Sequence, residues 1–124
     1  MRILCFGNPL VEEDSMAKKI ADSINIKGVE IVYCNNADDV LNYVDDEIII
    51  IDVIKNINEV VIFDDIDKIK ENTIVTLHDF DLGFFLKVLK SIGRVKKVKI
   101  IGVPQEGDEG EIREKTKTFI YNLT

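Results

Sequence analysis

The chain has 124 residues, of which 46% are hydrophobic and 31% charged, a composition typical of one globular domain spanning residues 1–124. Its net charge of −7 argues against binding the phosphate backbone of nucleic acids. The longest aliphatic run, residues 48–51, is far shorter than the roughly 20 residues that span a bilayer. Two cysteines are too few for a disulfide framework and no signal-peptide pattern is present, so we expect a cytoplasmic protein that does not act at a membrane.

The first half of the chain alternates predicted strands with predicted helices. Residues 2–6 form a short apolar run that stops at a Gly-Asn-Pro turn, which predicts a buried first strand. A helix pattern follows from Asp14, with apolar residues at helical spacing: Ala17, Ile20, Ala21 and Ile24. Residues 29–33 predict a second strand and 37–44 a short helix. Residues 47–52 are apolar without alternation, which indicates a central strand covered on both faces.

The second half continues the same alternation, although its middle is less regular. Residues 59–63 are compatible with a strand returning beside the third, and residues 73–77 are apolar enough for another. An amphipathic helix is predicted for 79–93, a last strand for 97–103 and a closing helix whose apolar positions begin at Ile112. Strands alternating with helices predict a three-layer α/β domain.

Three chemically versatile side chains follow predicted strands. In open α/β sheets, ligands bind beyond the carboxyl ends of the strands. The first strand leads into a loop that ends at Asp14, the central strand ends at Asp52, and the segment 73–77 runs into His78. If these segments are parallel neighbours, the three side chains converge on one rim. Two carboxylates and one imidazole suit a divalent transition metal such as nickel, zinc or iron, with coordination positions left open.

Each of these residues also has a structural interpretation. Asp14 is compatible with a helix cap, Asp52 with a loop cap, and His78, the only histidine, with a hydrogen-bonded structural residue. Both cysteines, Cys5 and Cys34, are expected to be buried thiols. The chain contains no Rossmann phosphate turn, P-loop, serine elbow or H-E-x-x-H motif, and it lacks the lysine that a response-regulator receiver carries after its last strand.

Four segments, taken together and in order, resemble the motifs of the nickel–iron hydrogenase maturation endopeptidases. They are the opening Gly7-Asn8-Pro9-Leu10 with the acidic pair Glu13-Asp14, the isoleucine-rich strand ending in Asp52, the histidine segment 77–82, and the final strand and loop 101–106. The resemblance covers nearly the whole chain. It implies a three-layer α/β/α sandwich with a mixed, mostly parallel five-stranded sheet. Segment 59–63 would then be the antiparallel strand, and 73–77 an extended lead-in to His78.

The resemblance also implies a function. The family removes a short C-terminal extension from the hydrogenase large-subunit precursor after nickel insertion. Its metal-contacting positions correspond to Asp14, Asp52 and His78, which would bind nickel that the substrate carries, with another divalent metal able to substitute. Asp14 or Asp52 would serve as ligand or as general base, and the sequence does not separate the two roles. Glu13 and Asn8 would orient the ligands.

The sequence departs from the family pattern in two places and leaves two other functions open. The family usually has Asp-Asp or Asp-Glu followed by glycine, whereas this chain has Glu13-Asp14-Ser15, and Phe6 replaces a common glycine before Gly7. These changes keep the oxygen ligands. The first alternative is a non-catalytic hydrogenase-assembly or nickel-binding factor that uses the same rim. The second is a small α/β binding or signalling domain without a metal.

Overall fold

The computed structural model describes residues 1–6, 15–34, 39, 42–43, 47–64, 91, 93 and 97–123. Its strands and helices follow one another along these residues in the order β1 Arg2–Phe6, α1 Met16–Ser23, β2 Glu30–Cys34, β3 Glu47–Ile54, β4 Val61–Phe63, β5 Lys97–Pro104 and α2 Glu109–Leu123. None of the described helices is long and apolar enough to cross a membrane.

The strands form one five-stranded sheet in the order β2-β1-β3-β5-β4. Strands β2, β1, β3 and β5 are parallel to one another, and β4 pairs with β5 in the antiparallel sense. The predicted fold class, α/β with a mixed and mostly parallel five-stranded sheet, is therefore confirmed. The antiparallel strand that the resemblance implied for residues 59–63 is β4, at the edge of the sheet.

Alternate residues of the central strands point to opposite faces of the sheet, and both faces are buried. On the first face, residues such as Cys5, Ile49, Ile51 and Val53 pack with α1 and α2. On the second face lies another buried apolar cluster, against which Tyr43 packs. Its members are Leu4, Phe6, Cys34, Ile48, Ile50, Val98 and Ile100. This double burial explains why β3 shows no polar alternation.

The two described helices cover the first face because their apolar residues recur at helical spacing. In α1 the buried residues are Met16, Ala17, Ile20 and Ala21, while Lys18 and Asp22 form an exposed ion pair one turn apart. Helix α2 begins after Asp108, whose Oδ1 accepts a 2.9 Å hydrogen bond from the Glu111 amide. This cap starts the helix three residues before Ile112, the first apolar position of the predicted closing helix.

Several predicted boundaries were wrong by one or two residues. Strand β3 continues past Asp52 because Val53 and Ile54 remain paired with Val103 and Pro104 of β5. Strand β2 spans Glu30–Cys34 rather than 29–33, β4 begins at Val61 rather than at residue 59, and α1 begins at Met16 rather than Asp14. Of the short helix predicted at 37–44 the structure describes residues 39, 42 and 43, and of the helix predicted at 79–93 it describes residues 91 and 93. The segment 73–77 falls entirely outside the described residues.

Candidate functional site

The strand order contains one reversal, and it lies between β1 and β3. From β1 the chain moves to β2 on one side, then crosses to β3 on the other side of β1. In doubly wound sheets, ligands bind at the carboxyl ends of the two strands that flank such a reversal. The topology therefore marks the carboxyl ends of β1 and β3 as the place for a functional site.

Asp52 lies in β3 close to this reversal. Asp52 is 0% exposed, and the residue paired with it in the neighbouring strand β5 is Gly102. On the other side, the described pairing of β1 with β3 runs as far as Cys5 and Ile51, one residue before Asp52. Because strand residues alternate, Asp52 shares the second face with Ile48 and Ile50, away from α1 and α2.

The Asp52 carboxylate is held in place locally. Its Oδ1 accepts a 2.8 Å hydrogen bond from the backbone amide of Val53, the next residue, and its Oδ2 is also buried. Burying a carboxylate costs free energy that fixed dipoles, hydrogen bonds or a bound cation must offset. A carboxylate at this depth in an apolar strand is therefore suited to hold a cation.

The two cysteines near this edge are buried thiols, as predicted. Neither forms a disulfide, and each is 1% exposed. Burial, and after it the negative charge of Asp52, raises the pKa of Cys5 to about 12. Burial, and after it the charge of Asp39, raises the pKa of Cys34 to about 11. Both thiols therefore stay protonated at neutral pH and are unsuited to act as nucleophiles.

The other predicted ligands, Asp14 and His78, lie outside the described residues, as do Glu13 and Asn8. Their convergence with Asp52 therefore stays a prediction, and so do their structural interpretations. Within the described ranges, no group of three cysteine, histidine or acidic side chains is placed to hold a metal ion. Of the predicted ligand set, the structure places Asp52 alone.

Sequence reasoning missed two residues beside Asp52. An ideal Cβ atom built on Gly102 would lie 2.1 Å from Cδ1 of Ile54, so the isoleucine occupies the space that a side chain at position 102 would need. The signal for this close approach is a glycine inside an apolar strand, residues 97–104. The identity of the neighbour depends on the register between β3 and β5, which the sequence does not reveal.

Known proteins resemble this chain in structure rather than in sequence. No protein-family profile matches the sequence, and no curated protein matches it either. Among solved structures, the nickel–iron hydrogenase maturation protease HybD from Thermococcus kodakarensis superposes with a TM-score of 0.72, at 23% identity and with 99% of each chain covered.

Two further structures extend this likeness. The hydrogenase maturating endopeptidase HybD from E. coli gives a TM-score of 0.66 at 22% identity, over 99% of this chain and 94% of the other. A hydrogenase 2 maturation peptidase from a Thaumarchaeota archaeon gives 0.57 at 20% identity, over 99% and 98%. The chain therefore has the fold of the hydrogenase maturation proteases, as the resemblance in its sequence implied.

Proposed function

We propose that this protein is a peptidase that removes the C-terminal extension of a nickel-loaded nickel–iron hydrogenase large-subunit precursor. The observation that carries the proposal is the buried Asp52 carboxylate beside the β1/β3 reversal. It lies in a fold shared, over 99% of the chain, with solved hydrogenase maturation proteases. Fold alone does not define a function, so the chemistry is argued from the residues.

Asp52 fits the role of a ligand to the substrate's nickel. A carboxylate oxygen is an acceptable donor to a divalent transition metal. The Val53 amide fixes the direction of Oδ1 by a 2.8 Å hydrogen bond, which limits the reorientation needed when a cation binds. Because the residue is fully buried, a cation bound there would meet little competing water, and its attraction to the carboxylate would be stronger than at the surface.

Asp14 is proposed as a second ligand because of its place in the chain. It directly precedes Ser15, which is buried immediately before α1. A helix that connects two parallel strands runs back across the sheet, so α1 begins at the same edge where β1 ends. Chain connectivity therefore favours Asp14 at the edge that carries Asp52. His78 as third ligand rests on the sequence resemblance.

These groups would support hydrolysis of one peptide bond. The nickel held by the precursor would polarise the scissile carbonyl or acidify a bound water. One of the two carboxylates would take a proton from the water as its oxygen adds to the carbonyl carbon. The same group would then return this proton to the amide nitrogen as the C–N bond breaks, which releases the peptide as an amine and leaves a carboxylate on the large subunit. A precursor without nickel offers no cation to these ligands, which would restrict cleavage to the metal-loaded precursor.

A cleavage assay with matched variants tests the proposal. Nickel-loaded precursor is incubated with wild-type protein and with Asp14→Asn, Asp52→Asn and His78→Ala, and release of the C-terminal peptide is followed by mass spectrometry. Asp22→Asn is the control because Asp22 is an exposed carboxylate on α1. We expect cleavage by wild type and the control only. Folded site variants that cleave at the wild-type rate would overturn the assignment, and binding of the precursor by wild type without peptide release would overturn the peptidase activity.

A further inference from the structure

The residue opposite Asp52 in the sheet has no side chain. Gly102 of β5 pairs with Asp52 of β3 on one side and with Val61 of β4 on the other. Paired residues of neighbouring strands point to the same face of a sheet. Gly102 therefore leaves a gap on the second face, between Asp52 and Val61.

Ile54 fills that gap. It follows Asp52 by two residues in β3, so both belong to the same face, and it is fully buried. An ideal Cβ on Gly102 would lie 2.1 Å from its Cδ1, 3.0 Å from its Cγ1 and 3.3 Å from Cγ2 of Val61. The Ile54 side chain thus lies across Gly102, on the β5 side of Asp52.

We propose that Gly102 is a positioning residue for the candidate site, because its missing side chain admits Ile54, which closes the β5 side of Asp52. This inference rests on the proposed function. The Val53 amide holds one carboxylate oxygen, and Ile54 occupies the space over Gly102 on the β5 side. The β1 side is then the side from which the substrate's nickel would reach Asp52.

Adding one methyl group at Gly102 disturbs this arrangement. Rotating the end of the Ile54 side chain moves Cδ1 away but leaves Cγ1 at 3.0 Å from the new atom. Isoleucine is branched at Cβ and has few χ1 alternatives, so the strain passes into the β3 backbone two residues after Asp52. The contact at 3.0 Å requires a movement of a few tenths of an ångström. Metal ligands must be held to within about 0.5 Å of the productive geometry, so a movement of this size, two residues from Asp52, is expected to weaken its hold on a metal ion.

The test measures binding of the nickel ion alone, by isothermal titration calorimetry below the unfolding temperature of each variant. Gly102→Ala is expected to weaken nickel binding at least tenfold. Adding Ile54→Val removes Cδ1, the atom nearest to the new methyl, and is expected to restore the affinity to within threefold of wild type. The control is Ile120→Val, which trims a fully buried residue of α2 on the first face and is expected to leave nickel affinity unchanged.

Two outcomes contradict the inference and one contradicts the proposed function. Folded Gly102→Ala protein with wild-type nickel affinity, while Asp52→Asn abolishes binding, overturns the positioning role alone. If Gly102→Ala does not fold, Ile54→Ala opens the same space without adding an atom and is expected to weaken nickel binding at least tenfold. Wild-type affinity in folded Ile54→Ala protein likewise overturns the role. Wild-type affinity in Asp52→Asn overturns the site itself.

Discussion

Val53 donates its backbone amide to the carboxylate of the residue before it, with 2.8 Å between the nitrogen and Oδ1 of Asp52. Both residues are fully buried in β3, the middle strand of the sheet. Two consecutive residues of one strand therefore contribute to the orientation of the carboxylate.

This hydrogen bond predicts different stabilities for two substitutions of Asp52. Asp52→Asn keeps an oxygen that can accept the Val53 amide, so we expect the free energy of unfolding to change by less than about 1 kcal/mol. Asp52→Ala leaves that buried amide without this acceptor and is expected to cost about 1–3 kcal/mol. Urea unfolding of both variants measures the difference. Equal losses in the two variants would show that the carboxylate charge, rather than the hydrogen bond, stabilises β3.

The buried thiols predict a loss of stability at alkaline pH. In the native state the pKa of Cys5 is raised from 9.0 to about 12 and that of Cys34 to about 11. Between pH 9 and 11 the unfolded chain loses thiol protons that the native chain keeps, so the free energy of unfolding falls as pH rises. Each thiol contributes on the order of 1 kcal/mol per pH unit to this fall.

Chemical denaturation at several pH values checks this slope. The matched control is the double variant Cys5→Ala and Cys34→Ala, in which the slope between pH 9 and 11 should be shallower. All other groups titrate alike in both proteins and cancel in the comparison. Identical slopes would mean that the native thiols ionise as readily as the unfolded ones.

Three surface residues, Lys18 and Asp22 of α1 and Tyr33 of β2, form a hydrogen-bonded cluster. From this cluster we predict how the carboxyl group of Asp22 titrates. The Tyr33 hydroxyl donates a 2.5 Å hydrogen bond to Asp22, and Lys18 donates one of 2.9 Å. The tyrosine bond first, and the lysine second, hold the pKa of Asp22 below its ordinary 3.8. Stability from this charge is present above pH 3.8 and is lost as pH falls through the lowered native pKa.

Tyr33→Phe is therefore expected to raise the pKa of Asp22 toward its ordinary value, as followed by NMR of the carboxyl carbon. The effect on stability at neutral pH should be small, because exposed pairs contribute under about 1 kcal/mol. Lys18→Met is the companion variant and should shift the pKa less. An unchanged pKa in Tyr33→Phe would rule out the hydroxyl as the main cause.

The charge of the chain predicts that it does not bind nucleic acid. With a net charge of −7, the protein should not retain DNA or RNA at physiological salt. An electrophoretic mobility assay over a range of salt concentrations checks this. A sequence-independent shift that weakens as salt is added would refute the prediction.

The sequence predicts the sheet well because its strongest signal is burial. The unbroken run of isoleucines in residues 48–51 indicates a strand covered on both faces, and β3 is the middle strand of the sheet. Boundaries were less accurate where pairing or capping decides them. Strand β3 passes Asp52 because β5 continues beside it, and α2 starts early because Asp108 caps it. Neither effect is visible in apolar periodicity.

The candidate site was predicted from the sequence only in part. The sequence shows an acidic residue after a run of isoleucines, and the structure places this residue, Asp52, two positions before the end of β3 and near the β1/β3 reversal. Its role as a metal ligand stays a prediction. The packing of Ile54 over Gly102, next to Asp52, depends on which residues of β3 and β5 are paired. That register is a property of the assembled sheet, so it became visible only in the structure.

Cleavage of nickel-loaded and nickel-free hydrogenase precursor by the wild-type protein tests the central claim most directly. The two precursors are identical in sequence, and the released C-terminal peptide is quantified by mass spectrometry over the same time course. The account predicts release from the nickel-loaded precursor and none above background from the nickel-free one. Equal release from both would contradict recognition of the substrate's nickel, and release from neither would contradict the peptidase itself.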